Sequence, residues 1–196
     1  MDLRLLRKAK AVQRVYGKNT VILRSGDRVY SLLKIESGIV LIYNESRSRI
    51  VNVLAQGDYL ADAEFHLGLE FPLEAIALNT VEISRQDNRD GKEILYQCYE
   101  SYNNVVRILN THGMNAKQKA IAGLLWFCDK AKLPATNNQV NNIPLNDCIL
   151  SDITGMTRET CTRAIAPLVK EGVIKRNNGK SISILGLERL TFLSSK

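Results

Sequence analysis

The stretch TGMTRETCTRAIAPLVKEGVI, from Thr154 to Ile174, has the pattern of a helix entered through a tight turn. Gly155 supplies the turn, and Thr157 is a good N-cap for the helix that follows. Apolar residues recur at helical spacing and predict one buried face, which consists of Cys161, Ile165 and Leu168.

The opposite face of this helix carries charge at its N-terminal end. Arg158 and Glu159 open the helix, and Arg163 follows about one turn later. A helix presented in this way can enter the major groove of DNA, where its N-terminal side chains reach base edges. Arg donates two hydrogen bonds to guanine O6 and N7, and Glu accepts one from cytosine N4. The pattern therefore predicts that Arg158, Glu159 and Arg163 read bases.

The flanking segments complete a winged helix-turn-helix. Before the turn, Asn146 is a good N-cap for a short helix whose Leu150 and Ile153 face inward. After it, GVIKRNNGKSISIL at 172–185 reads as strand, turn and strand, a basic-tipped hairpin or wing. The residues expected to contact DNA phosphates are Thr157, Thr162, Lys175, Arg176 and Lys180.

One residue conflicts with a regular helix. Pro167 removes a backbone donor and clashes with the carbonyl of Arg163, so we expect a bend or an early end near 163–167. The base-reading first turns should stay intact.

The N-terminal half has a different pattern of apolar and polar residues. From Tyr16 to about Ser84, short runs alternate apolar and polar residues between turn residues, at a spacing of roughly ten residues. This spacing predicts a small antiparallel barrel or sandwich. The clearest strands are Tyr30–Ile35, Ile39–Tyr43 and Ile50–Leu54, and EAIALNTVEIS supplies one or two more.

A long helix is predicted from Asp90-Gly91 onward, ending at Gly113, which would serve as a hinge. Its apolar residues are spaced 4, 3, 4 and 3, as in a coiled-coil seam. This seam consists of Leu95, Tyr99, Tyr102, Val106 and Leu109. Pairing with a second chain is one interpretation; a single helix that lies on the barrel is the other.

A second amphipathic helix, MNAKQKAIAGLLWFCDKAKL, follows the hinge. Its predicted buried face consists of Ile121, Leu124, Leu125 and Cys128. The segment PATNNQVNNIP then reads as a polar connection.

Composition points to a globular protein with an anionic partner. The 196 residues are 45% hydrophobic, and no apolar run approaches the roughly 20 residues of a membrane span. The basic N-terminus lacks the apolar core of a secretory signal, so we expect a cytoplasmic protein without a membrane partner. Net charge is +7, and residues 114–196 carry 12 Lys and Arg against 6 Asp and Glu. This distribution suits the phosphate backbone of DNA.

The four cysteines, Cys98, Cys128, Cys148 and Cys161, form no C-x-x-C pair, and there are two histidines. A zinc or iron–sulfur site is therefore not expected. We expect small buried apolar residues; a redox-sensing thiol is the alternative.

Barrel, long helix, hinge and winged helix, in this order, resemble the Crp/Fnr family of bacterial transcription regulators over nearly the whole chain. The most specific match is ITGMTRETCTRAIAPLVKEGVI, with Arg158, Glu159 and Arg163 at the family's base-reading positions. GDYL and SGIVLIY resemble the ends of its barrel strands.

The resemblance implies an α+β fold in three parts. These are an antiparallel, jelly-roll-like β-roll of the cyclic nucleotide-binding type at 1–90, a dimerisation helix and hinge at 91–113, and a winged-helix DNA-binding domain at 114–196. It also implies a homodimer on palindromic double-stranded DNA, and RNA polymerase as a partner if the protein is an activator. The residues themselves show no nucleophile–base pairing, phosphate loop or metal spacing, so neither an enzyme nor a cofactor is expected.

The barrel departs from family members that bind cyclic nucleotides. Their phosphate cassette is replaced by Ala61-Asp62-Ala63-Glu64, and no Arg lies between Gly57 and Arg85. Nearby acids would repel a phosphate: Asp62, Glu64, Glu70 and Glu74. Cyclic AMP is therefore not an expected effector, and this short barrel need hold none.

Other assignments fit the sequence less well. The family's iron–sulfur cysteine cluster is absent, and His66, which could ligate haem, is more simply a structural or solvated loop residue. A cyclic-nucleotide-regulated module whose helical end contacts protein would need the missing Arg. It would also leave Arg158, Glu159 and Arg163 unexplained. A winged helix that does not read sequence leaves the same residues without a role.

Overall fold

The computed structural model describes residues 13–86, 91–111 and 113–194; within helices, the side chains of residues 92–94, 105 and 109 lie outside the description. Contacts divide the chain into two compact units. The first comprises the chain to Glu45 together with Leu54–Ser101, and the second comprises Ser46–Val53 and Tyr102–Lys196. We refer to them as the N-terminal and C-terminal units.

Short antiparallel strands build the β-roll. In chain order they are β1 (Arg14–Tyr16), β2 (Val21–Leu23), β3 (Leu32–Ser37), β4 (Ile39–Tyr43), β5 (Ile50–Ala55), β6 (Tyr59–Leu60), β7 (Glu74–Ala77) and β8 (Val81–Gln86). They form two four-stranded sheets, with the orders β1-β8-β3-β6 and β2-β7-β4-β5. The predicted antiparallel β-roll is confirmed.

The apolar positions that predicted these strands are the ones that fill the roll. Leu32 and Ile35 of β3 and Val81 of β8 are fully buried, as is Val40 of β4. Ile35 lies opposite Ile83 of β8, so inward-facing side chains of paired strands meet across the sheet.

A short helix within the roll was not predicted. This helix, α1 (Asp62–Leu67), begins after Ala61, whose φ of 55° is left-handed. This helix contains Asp62-Ala63-Glu64, which is part of the stretch that matches the phosphate cassette. His66 therefore lies in a helix rather than a loop, with Nε2 3.3 Å from Oδ1 of the buried Asp62.

The long helix predicted from its heptad pattern is α2 (Gly91–Asn110). The next, α3 (Ala116–Lys130), begins with a capping box in which Asn115 and Gln118 exchange side-chain and backbone hydrogen bonds. Ile121, Leu124 and Cys128 are buried as predicted, whereas Leu125 is half-buried, and the adjacent Trp126 and Phe127 are buried instead.

The remaining elements of the C-terminal unit are β9 (Val140–Ile143), α4 (Asp147–Thr154), α5 (Arg158–Lys170), β10 (Ile174–Asn177), β11 (Ser181–Ile184) and α6 (Leu187–Ser194). The strands form a sheet in the order β10-β11-β9. The interpretation of PATNNQVNNIP as a polar connection is therefore wrong in its second half. There Val140 and Ile143 are buried, and β9 pairs with a strand some 40 residues later in the chain.

The core of this unit forms where α3 packs against the helices that follow it. Phe127, Leu150 and Ile165 are fully buried, and each such side chain contributes about 1.5–3 kcal/mol to the free energy of unfolding. At Gly123 a Cβ atom would lie only 2.7 Å from Cγ2 of Thr154, so α3 and α4 approach as closely as they do because this residue is glycine.

Candidate nucleic-acid interface

The turn between α4 and α5 has the geometry predicted for it. Gly155 ends α4 in the left-handed conformation, with φ 68° and ψ 20°, which glycine adopts without steric cost. The side chain of Asn146 caps α4 by accepting from the amide of Ile149. Thr157 caps α5 by accepting from the amide of Thr160 over 3.2 Å. These local bonds fix where α5 starts and thus which residues occupy its first turn.

The three predicted base-reading residues lie on the solvent side of α5. Arg158, Glu159 and Arg163 are exposed, and in the parts of the chain that the structure covers their side chains take part in no hydrogen bond or ion pair. The opposite face is buried in the core and consists of Cys161, Ala164, Ile165 and Leu168. The structure therefore places all three side chains together on the solvent-exposed face of a helix whose other face is packed in the core.

Pro167 does not end α5. The helix continues to Lys170, so the expectation of an early end near 163–167 is wrong. Beyond the proline the backbone bonds resume, since the amide of Glu171 donates to the carbonyl of Pro167 over 2.9 Å. The fully buried Leu168 also holds the last turn in the core.

Asp147, in the first turn of α4, binds two of the residues predicted to contact phosphate. Thr162 Oγ1 donates to Asp147 Oδ2 over 2.6 Å, and Arg176 Nη2 donates to the same oxygen over 2.9 Å. Arg176 also reaches the carbonyl of Thr162. This Asp147 bridge links α4, α5 and the first strand of the wing.

We expect Asp147→Ala to lower the free energy of unfolding by about 1–3 kcal/mol. The substitution leaves the half-buried Arg176 without its carboxylate and Thr162 without its acceptor. Chemical denaturation measures this loss. Glu188→Ala, which removes an exposed acid from the first turn of α6, is the matched control. Equal stabilities of the two variants would show that the bridge contributes nothing specific.

The wing has the predicted strand–turn–strand form. Its turn places Asn178 and Gly179 at φ 51° and 68°, and the amide of Lys180 donates to the carbonyl of Asn177. The side-chain amide of Asn177 also donates to Ser183 across the hairpin. Lys175 and Lys180 are exposed, so the wing presents two cations to solvent.

The cysteines divide into two pairs. Cys128 and Cys161 are buried as expected, and burial, with a nearby carboxylate in each case, raises the pKa of both thiols to about 12. Both stay protonated at neutral pH and are poor nucleophiles. Cys98 and Cys148 are exposed, so the expectation of burial is wrong for these two.

The seam of α2 is largely exposed in the single chain. The exposed fractions are 72% for Leu95, 59% for Tyr99 and 64% for Tyr102. Val106 is half-buried, and the side chain of Leu109 lies outside the described residues. Leu95 and Tyr102 stand seven residues apart on α2, as the heptad predicts.

The N-terminal unit contains a cavity of about 260 Å³. Its lining includes Arg14 of β1, Arg85 of β8 and Arg28, which forms an ion pair with Glu70. No residue of α1 lines this cavity.

Neither a metal site nor a membrane span emerges from the residues covered. Among them, no group of three or more His, Cys, Asp or Glu side chains is arranged to hold a metal ion. Within the same ranges, every helix is too short or too polar to cross a bilayer.

Two family models match the chain in the order of its two units. The cyclic nucleotide-binding domain matches residues 13–97, and the Crp-like helix-turn-helix domain matches residues 118–193. The chain belongs to the Crp/Fnr family. It is a Crp/Fnr-type transcription regulator with a helix-turn-helix DNA-binding domain.

Individual proteins and solved structures are also similar to this chain. The regulatory protein HlyX of Actinobacillus pleuropneumoniae is 26% identical over 201 residues, which cover 95% of this chain and 82% of that protein. FixK2 from Bradyrhizobium japonicum has the same fold, with a TM-score of 0.78 at 17% identity over 95% of this chain and 98% of that one. A Crp/Fnr-family regulator from Thermus thermophilus gives 0.74 at 22% identity, over 94% and 98%.

Sequence reasoning missed Asp147. It is the first residue of α4, and the sequence pattern indicates only a favourable charge at a helix N-terminus. Its partners lie 15 and 29 residues further along the chain, and no local pattern connects them.

Proposed function

We propose that this Crp/Fnr-family chain acts as a homodimer that recognises a palindromic DNA sequence, with α5 of each protomer in the major groove. The observation that carries the proposal is the division of α5 into a buried face and an exposed, unengaged set of Arg158, Glu159 and Arg163. No described residue engages their side chains. These three are available for bases.

The exposed seam of α2 supports the homodimer. Leu95, Tyr99 and Tyr102 form one apolar stripe along about two turns of helix, and such contiguous apolar surface marks an interface. Two-fold symmetry then requires inverted half-sites about 34 Å apart, one turn of duplex.

As a bacterial-type regulator the protein would act in the cytoplasm, and as an activator it would contact RNA polymerase.

Phosphate contacts fix the register of the helix in the groove. We assign them to Thr157 with the N-terminus of α5, and to Lys175 and Lys180 of the wing. Arg176 contributes from beside the Asp147 bridge, which orients it. The single hydroxyl proton of Thr162 is donated to Asp147, so we do not assign a phosphate contact to Thr162. Nη1 of Arg176 takes part in no hydrogen bond with the described residues and is the group left for a phosphate.

Selection from a random DNA library tests the proposal. The full-length protein should enrich an inverted repeat whose half-sites are centred about one helical turn apart. Enrichment of a single, non-repeated motif would contradict the dimer, and no enrichment above the starting pool would contradict sequence reading altogether.

We expect cyclic AMP to bind weakly or not at all. Residues 58–84 contain no Arg or Lys, and Asp62 is buried in the helix that replaces the phosphate cassette. A phosphate placed there would be a buried charge without a partner. Isothermal titration calorimetry measures the affinity for cyclic AMP directly, and a micromolar dissociation constant would contradict this expectation.

A further inference from the structure

A cluster of polar and aromatic side chains in the C-terminal unit has no part in the DNA interface. The guanidinium carbon of Arg107, on α2, lies 3.8 Å from the centre of the Trp126 ring. Trp126 Nε1 donates to Asn104 Oδ1 over 3.1 Å, and Asn104 Nδ2 donates to Asn52 Oδ1 over 2.8 Å. These bonds hold the ring, and therefore the stacked cation, in one orientation.

Arg107 presents unused hydrogen-bond donors at this cluster. Its Nε and Nη2 are shielded from solvent and have no hydrogen-bond partner among the described residues. The two atoms lie on one edge of the guanidinium plane, the edge that binds carboxylate or phosphate oxygens in pairs. Buried donors without an acceptor are rare in native proteins, because their desolvation is then uncompensated.

A second cation stands beside the first. Burial, and then the positive charge of Arg49, lower the pKa of Arg107 to about 10, so the two guanidiniums repel each other. Arg49 also lies against the helix-turn-helix turn, where a Cβ atom on Gly155 would come within 2.9 Å of its guanidinium carbon. The pair thus joins the segment Ser46–Val53, the end of α2 and the turn before α5.

We propose that Arg107 and Arg49 form a binding site for a small oxyanion, a carboxylate or a phosphate. One pair of its oxygens accepts from Nε and Nη2 of Arg107, and the nearby positive charge of Arg49 attracts it. Both arginines are half-buried rather than enclosed, so the proposed site lies close to the surface of the unit. An oxyanion supplies the acceptor that the buried donors of Arg107 lack among the described residues.

Trp126 provides the readout, because it is the single tryptophan of the chain. The full-length protein is titrated with inorganic phosphate, with acetate and with chloride at constant ionic strength, while tryptophan emission is recorded. We expect a saturable change with an oxyanion and none with chloride. The anion that saturates at the lower concentration identifies phosphate or carboxylate as the preferred chemistry.

Variants separate the site from a general salt effect. Arg107→Lys keeps the charge but loses the paired donors, so the oxyanion should bind roughly tenfold more weakly. Arg49→Gln leaves the stack on Trp126 in place and should also weaken binding. Arg189→Lys, an exposed arginine of the same unit held by Glu171, is the matched control and should bind as the wild type does.

Two outcomes would overturn the proposal. The first is a wild-type protein whose emission responds to phosphate and acetate no differently from chloride. The second is an Arg49→Gln variant, folded by circular dichroism, that binds the oxyanion as tightly as the wild type. Because the test involves no DNA, its failure leaves the proposed DNA recognition untouched.

Discussion

Replacing Leu95 and Tyr102 together by glutamate is expected to convert the protein into a monomer. Both side chains are more than half exposed on α2, and pairing of two such helices would bury them. Burial of each side chain contributes about 1.5–3 kcal/mol to the free energy of association. The substitutions remove this gain from both protomers and place four carboxylates along one seam. Sedimentation velocity measures the result, and affinity for a palindrome should fall with the loss of the dimer.

A neighbouring residue supplies the control for the seam. Ser101 precedes Tyr102 but lies off the seam, where it is exposed and donates to the carbonyl of Gln97. Ser101→Glu should leave the protein dimeric, whereas Tyr102→Glu should weaken the dimer. A Leu95→Glu, Tyr102→Glu variant that still sediments as a dimer would show that the chains pair through another surface.

Replacing Glu159 or Arg163 by alanine is expected to cost about 1–3 kcal/mol of binding free energy on the selected palindrome. This is the range for a side chain that makes direct hydrogen bonds to a base edge. Since both residues are exposed and unengaged in the described structure, their removal should leave the melting temperature unchanged. Fluorescence anisotropy at a fixed salt concentration measures the affinities, and calorimetry or circular dichroism measures the melting.

The two readouts together distinguish the possible roles of these residues. A lower affinity at an unchanged melting temperature is the signature of contact with DNA. If Glu159→Ala or Arg163→Ala lowers the melting temperature and affinity in proportion, the residue supports the fold, and the assignment of base reading to it is wrong.

The recognition element was predictable because its signals are local. Gly155 sets the turn, Thr157 caps the helix, and the apolar spacing of Cys161, Ile165 and Leu168 fixes the buried face. Each of these effects acts within about four residues along the chain. The same holds for the strands around Leu32 and Val40, which turn residues separate at short intervals.

Features that depend on distant partners were missed. β9 exists because it pairs with β11, and the polar residues between Val140 and Ile143 hide this in the sequence. The partners of Asp147 and the stacking of Arg107 on Trp126 likewise join segments that are far apart in sequence. The order of residues along the chain does not show which distant segments come into contact.

Pro167 shows how packing overrides a local signal. The missing donor and the ring's steric demand favour an end to the helix there. The buried Leu168 and the bond from the amide of Glu171 favour continuation, and α5 reaches Lys170. A helix end predicted from proline alone therefore fails where the following turn is fixed in a core.

The claim that α5 reads sequence is tested most directly by comparing Arg163→Ala with Lys180→Ala across every single-base-pair substitution of the selected palindrome. Arg163→Ala should lose discrimination at one symmetric pair of positions and keep it elsewhere. Lys180→Ala should weaken all sites alike and reduce the dependence of log affinity on log salt by about one unit. If Arg163→Ala instead gives a uniform loss with an unchanged base preference, the helix binds the backbone and reads nothing.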